Sequence, residues 1–482
     1  KYINYINPQN RREAQKRHDW KEWESAEKIE MEKFVKYEYL TDFTPSRPIG
    51  KFIHTTRFVY QLKVLTDGSL DKYKVRFVFR GFTMVQDRDF TEIYSPVTQI
   101  TSIKLFYYFV LYYELDNMVV DIESAYLNAD IDRELWCELP EGFYYNGCRF
   151  ARVVKAIPGV KQGAYLWFQL FVKELRRNGF IQQEVEPCLF VFFKDKTIHM
   201  LLIHIDNVMV GSNNRKSFDD LISKEWAKSF KTNYVSRTSV LGLNVRRVDL
   251  HTFAFSQCYY IESLVEEFGL ENDKPTNVPI RFGIENDYNV DLLSKTVDPK
   301  IPFRSIVQKL QWVGRSSRPE ILYAYNFFSR FNHCYNASLF EEARKCVLYL
   351  KGTKEHELIF SVNPQEKLQL RFVCDASFAQ QQDRKSTVGI FGWLNKCLIY
   401  AHSSTVKTVL TSSCETESYA IFEASKASIF CYNWIRGFTK IEPPLFIYND
   451  NQAAIAIMKV RSNAGRSKHF DVKLRYVVQL VE

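Results

Sequence analysis

The sequence predicts a multidomain α+β protein. Three observations carry that reading. The chain has 482 residues, and domains commonly hold about 100–200, so two to four are expected. Short β-rich runs such as Phe77-Val78-Phe79 alternate with longer stretches at helical spacing, without an internal repeat. Apolar residues make up 46% and charged residues 25%, a globular balance that excludes wholesale disorder.

Each element follows from local pattern. Residues 10–40 predict a charged helix, because Trp20, Trp23, Ala26, Ile29 and Phe34 recur near helical spacing. Phe58-Val59-Tyr60 and Phe77-Val78-Phe79 predict strands flanking a turn at Thr66-Asp67-Gly68-Ser69. An aromatic helix is expected over 100–114, a short strand over 117–121, and a helix over 165–179 stopped by Asn178-Gly179. Strands at 189–193, 200–205 and 208–210 follow, the last two separated by Asp206-Asn207, a tight hairpin turn. Residues 272–300 are polar and read as a linker or long loop. Helices are expected across 303–353, then a strand over 367–375 and a hairpin over 387–404. A long helix over 415–435, a strand over 445–448 and a helix from Gln452 complete the chain.

Bulk features exclude other classes. No stretch approaches the roughly 20 apolar residues of a membrane helix; the run Leu105–Tyr113 is bounded by Lys104 and Glu114. The first fifty residues are dense in charge, unlike a signal peptide. The chain begins at Lys1 and is read as a piece of something longer. Ten cysteines are scattered from Cys137 to Cys431 with no C-x-x-C, as expected of reduced thiols in an intracellular protein. Lys plus Arg number 65 against 56 acids, and the resulting +9 is too weak by itself to name a nucleic-acid partner.

Local charge says more. Two apolar strands end in carboxylates, Val119-Val120-Asp121 and Ile203-His204-Ile205-Asp206. One such Asp is ordinarily solvated or capping. Two on one sheet edge are able to hold a pair of divalent ions about 3.5–4 Å apart, the arrangement of phosphoryl transfer. From 111 to 140 there are eight acids and one base; from 141 to 180, seven bases and two acids. An acidic pocket beside a basic surface suits metal on one side and a phosphate backbone on the other. In the C-terminal part, Asp375 and Asp450 also end strands, Glu417 lies in the first turns of the long helix, and Asp471 follows Lys468-His469-Phe470. Residues 455–476 carry six bases against Asp471 alone, a pattern fitting either a flexible basic loop or contact with a phosphate backbone.

VVDIESAYLNADIDRELWCELPEGF resembles the motif around the first catalytic Asp in reverse transcriptases of copia-type LTR retrotransposons. KVRFVFRGFTMVQDRDFTEIYSPVTQITSIKLF is similar to the family's fingers segment, and IPGVKQGAYLWF to its Gly-Leu-Lys-Gln segment. LIHIDNVMVGS sits where the family carries Tyr-Val-Asp-Asp. FRSIVQKLQWVGRSSRPEILYAYNFFSRF and VLYLKGT match its connecting region.

The resemblance implies a right-hand polymerase palm and fingers over 10–275, a helical thumb or connection over 276–365 and an α/β RNase H-like domain over 366–482. It implies Asp121 and Asp206 as metal ligands assisted by the Ile122 carbonyl. Tyr126 would exclude a ribose 2′-OH, Lys74 and Arg76 would meet the triphosphate, and Gln162 would touch nucleotide or template. In the second domain it implies Asp375, Glu417, Asp450 and Asp471 as ligands, with His469 near the scissile phosphate. Glu415 rivals Glu417, but Glu417-x-x-Ala420 has the family's phasing, which leaves Glu415 to the helix dipole. Two Mg²⁺ ions per site are implied, with Mn²⁺ as a substitute. The partners would be RNA template, DNA primer, RNA–DNA hybrid, dNTPs and other polyprotein products such as capsid and integrase. The setting would be a cytoplasmic virus-like particle, the nucleus, or both.

One departure matters. The family's second turn Asp is Asn207, the preceding aromatic is His204, and Tyr-Gly-Leu-Lys-Gln reads Pro158-Gly159-Val160-Lys161-Gln162. An amide is neutral and offers one acceptor oxygen, a poor replacement for a carboxylate at a metal site. Two expectations follow: a polymerase impaired by Asn207 beside a better-preserved nuclease, or a degenerate relic that keeps its fold and nucleic-acid binding.

Overall fold

The computed structural model describes residues 7–64, 70–235, 239–290, 297–380, 383–459 and 476–477. The turn at 66–69 and the basic segment with His469 and Asp471 lie outside the described residues.

The N-terminal helix is two helices, Arg11–Gln15 and Trp20–Lys36. Asn10 caps the first by accepting from Glu13 N. The second buries Trp23, Glu27, Met31 and Phe34 against a five-stranded sheet. In space that sheet runs Leu40–Thr44, Phe150–Lys155, Asp130–Glu138, Ile53–Val64, Leu70–Phe79. Glu27 is fully buried yet satisfied, by Arg11 and by the Tyr60 hydroxyl at 2.5 Å.

A six-stranded sheet follows. Its spatial order is Thr232–Val235, Asp116–Ile122, Asn207–Ser212, Thr197–His204, Leu189–Lys194, Ile181–Gln182. Helix Gly163–Arg177 packs Trp167 and Phe171 into its core and stops at Asn178, with Gly179 at φ +84°. Helix Ile100–Tyr112 is buried from Thr101 to Leu111, because it is sandwiched between elements. Tyr107 meets Phe253 and Phe255 edge-on, while Phe109 stacks on Trp434 of the C-terminal region at 5.7 Å.

The helical region has its own core. Helices Cys258–Glu267, Phe303–Ser316, Leu322–Ser329 and Ala337–Gly352 enclose Ile261, Leu310, Phe328 and Leu350. This packing includes Ile261, Leu264 and Phe268, upstream of the polar stretch. The strand Leu358–Ser361 then returns to pair with Thr252–Ser256, so sequence composition at the polar stretch marked a loop within the packed unit.

The last sheet runs Cys397–Thr405, Thr387–Leu394, Leu370–Ser377, Leu445–Tyr448. The final pair is parallel, a geometry that demands a crossover, supplied by the 27-residue helix Ser413–Thr439. Helix Leu322–Ser329 covers part of this sheet, where Leu322 packs with Leu398 and Ala401. The molecule is thus α+β with several sheets. No helix among the described residues is long and apolar enough to cross a membrane.

Candidate functional site

Two carboxylate sites emerge. At the first, strand pairing sets Asn207 directly opposite Asp121 and also opposite His204. The hairpin turn is therefore Ile205-Asp206, one residue earlier than the expected Asp206-Asn207. The shift puts Asn207 into the ladder beside Asp121 and leaves Asp206 at the tip. Ile205 adopts φ +59°, a costly conformation for a β-branched residue. Two bonds over-determine it: Trp167 Nε1 donates to Ile205 O at 2.8 Å, and Ile122 N donates to Asp206 O at 2.9 Å.

Burial, then the charges of Asp206 and Glu123, push the Asp121 carboxyl up. Mutually repelling acids of this kind fit a cation, which relieves the repulsion. Asn207 answers the same field differently, since its Nδ2 donates to Asp206 Oδ1 at 2.9 Å. His204 is pushed down by burial, so the neutral ring is favoured. Glu123 is held off the centre by Lys231 at 2.7 Å.

The other expected residues of this half are distributed as follows. Tyr126 is half-buried in the short 3-10 helix Ala125–Asn128 that follows Asp121, and burial and then Asp206 push its hydroxyl up. Lys74 and Arg76 share one face of strand Leu70–Phe79. Burial, then Arg76, Lys63 and Lys72, push Lys74 down, against the nearby charge of Glu30. Gln162 is a correction. Its side chain is fully buried, with Nε2 donating to Asp89 O at 2.9 Å and Asp132 Oδ1 at 3.1 Å. It ties two loops together and does not reach a nucleotide in this conformation.

The second site is tighter. One ligand oxygen from each of Asp375, Glu417 and Asp450 lies within 4.8 Å of the others. Parallel pairing ends with Val373 beside Tyr448, and Asp375 and Asp450 follow two residues further along their segments. Glu417 enters from the long helix. It is 7% exposed, and Asn449 Nδ2 donates to its Oε2 at 2.7 Å. Burial and then the charges of Asp375 and Asp450 push it up, against the Asn449 bond. Three converging oxygen donors, one raised by the others, fit a hard divalent cation. Glu415 takes a different job: it accepts from Thr411 N at 2.6 Å while Ser412 caps the helix.

Sequence reasoning missed two supporting residues. Asn449 also donates to Cys374 O at 3.0 Å, linking both strands to Glu417; its signal was the amide immediately before Asp450. Trp167, which braces the hairpin, carried no signal beyond an apolar helix face.

Residues 43–282 match the family described as reverse transcriptase (RNA-dependent DNA polymerase). The chain is 28% identical over 454 residues to the retrovirus-related Pol polyprotein from transposon TNT 1-94 of Nicotiana tabacum, covering 90% of this chain and 33% of that protein. It is 26% identical to that of transposon RE1 of Arabidopsis thaliana, covering 92% of this chain and 30% of the relative. The chain thus spans about a third of the length of these relatives. A solved foamy viral protease–reverse transcriptase in complex with double-stranded DNA is similar at TM-score 0.48 and 10% identity, covering 93% of this chain and 66% of that one. Residues 43–282 thus match the reverse transcriptase family, and most of the chain is similar to Pol polyproteins of copia-type transposons.

Proposed function

We propose that this chain is an RNA-directed DNA polymerase joined to a ribonuclease H, with the polymerase impaired and the nuclease better preserved. The observation that carries the reading is the contrast between the sites: three converging carboxylates in one, and an amide opposite Asp121 in the other. In the polymerase, a primer 3′-OH attacks the α-phosphate of a dNTP selected by an RNA template. In the nuclease, water attacks a phosphodiester of the RNA strand in an RNA–DNA hybrid.

Divalent ions, Mg²⁺ or Mn²⁺, supply charge stabilisation at phosphate and acidify the attacking oxygen when bound. The chain's own residues do the rest. Asp121, Asp206 and the Ile122 carbonyl would hold ions, while Asn207 offers one neutral oxygen where a carboxylate would bind better. Lys74 and Arg76 grip the triphosphate by charge-assisted bonds, and the Tyr126 ring excludes a 2′-OH. Asp375, Glu417 and Asp450 would hold ions in the nuclease; by the resemblance Asp471 would join them and His469 would act near the cleaved phosphate. Capsid and integrase from the same polyprotein are the expected companions.

Primer extension on RNA and hybrid cleavage with Mg²⁺ test both halves. Cleavage abolished by Asp375→Asn supports the nuclease; extension equal in wild type and Asn207→Asp overturns the impaired polymerase. The second reading, a relic that binds without turnover, is favoured by His204 and Pro158-Gly159 in the polymerase motifs. It becomes the better account if folded protein neither extends nor cleaves.

A further inference from the structure

The helical region reaches into the loop that leaves the Asp375 strand. Arg330, just past helix Leu322–Ser329, places Nη2 2.7 Å from Asp383 Oδ1. The Arg330 side chain is 9% exposed and that of Asp383 only 4%. Charges this buried are tolerated when paired, so the pair fastens the loop to a neighbouring unit.

The loop begins close to the carboxylate site. Asp375 pairs with Gly389 and Ser377 with Thr387, so the chain turns away two residues past Asp375, roughly 7 Å along the strand. Lys385 N donates to Asp383 Oδ1 at 3.2 Å, and Ala379 N donates to Ser386 Oγ at 3.3 Å. These ties leave two consecutive bases facing outward. Arg384 is exposed, at φ +56°, and among the described residues no carboxylate lies within ion-pair distance of it. Lys385 Nζ sits 3.3 Å from Asp383 Oδ2 with half of its side chain exposed. An acid cluster repels a polyanion unless bases beside it offset the field. A guanidinium on a fixed loop suits a phosphate, through paired hydrogen bonds.

We propose that Arg384 and Lys385 contact the phosphate backbone of a nucleic-acid hybrid beside Asp375, Glu417 and Asp450, and that Arg330 positions them through Asp383. The nature of the ligand rests on the nuclease reading. Arg330 is thus a positioning residue in the helical region, and the grip of the C-terminal site depends on its neighbour.

The test uses the full chain and a labelled RNA–DNA hybrid with Ca²⁺ in place of Mg²⁺, which reads affinity without cleavage. Arg384→Gln/Lys385→Gln is expected to weaken binding about tenfold and flatten the slope of log Kd against log salt by about one to two, with an unchanged thermal midpoint. Arg330→Gln is expected to flatten the slope likewise, and Arg330→Asp/Asp383→Arg to restore it. Unchanged affinity and slope in the surface double variant overturn the contact. A lower thermal midpoint in Arg330→Gln with a wild-type slope overturns the positioning role. Wild-type protein that binds with the full slope but does not cleave in Mg²⁺ overturns the nuclease reading alone.

Discussion

Asn207 Nδ2 donates to Asp206 Oδ1 at 2.9 Å while Asn207 itself sits opposite Asp121 in the antiparallel ladder. The amide dipole offsets part of a field that a cation would neutralise. Asn207→Asp restores a third negative charge, so it is expected to raise Mg²⁺-dependent primer extension at least tenfold, or about 1.4 kcal/mol of barrier. The same variant is expected to melt earlier without metal and to gain more from added Mg²⁺. Single-turnover extension and thermal melts with and without the ion check both.

Asp375→Asn, Glu417→Gln and Asp450→Asn are each expected to abolish hybrid cleavage and shrink the Mg²⁺-induced rise in thermal midpoint. Glu415→Gln is expected to leave cleavage intact and to cost about 1 kcal/mol at most, through the weakened tie to Thr411. Equal loss of cleavage in both Glu variants would reverse the assignment of Glu417.

Lys104 gives a pH dependence. It is fully buried, with Nζ donating to Arg315 O at 3.0 Å, and burial pushes it from 10.5 down to about 7. Between those values the unfolded chain holds a proton that the folded chain has released, so stability rises with pH across this window. The slope approaches roughly 1.4 kcal/mol per pH unit. Wild type is expected to gain about 2 kcal/mol on Lys104→Met between pH 7 and pH 9, read by denaturant titration. Parallel profiles in the two proteins would contradict this.

Tyr126→Ala is expected to relax sugar selection. In the Asn207→Asp background, ribonucleotide insertion relative to deoxyribonucleotide should rise at least tenfold, or about 1.4 kcal/mol. The ratio of kcat/KM for the two nucleotides checks it, and an unchanged ratio assigns Tyr126 to packing alone.

Much was legible because local physics wrote it. Apolar runs leading to Asp121, Asp206 and Asp375 marked strands, and Asn178-Gly179 marked a helix end. The misjudged features were those set by non-local pairing. The hairpin register moved one residue because Trp167 and Ile122 bind its carbonyls. Gln162 turned inward because Asp89 and Asp132, distant in sequence, accept its amide. Ile261 packs with Leu350 in one core although the two are distant in sequence.

The sequence by itself determined the α+β class and the order of its segments and nominated candidate acids, since periodicity, turn chemistry and charge are properties of neighbours along a chain. Only the tertiary structure decided which acids meet. Two strands paired in parallel as far as Val373 and Tyr448 lead to Asp375 and Asp450, a crossover helix brings Glu417 to both, and a ladder position turns Asn207 toward Asp206. Spacing in sequence does not fix strand register or the burial of a charge, and those two quantities control what the carboxylates are able to hold.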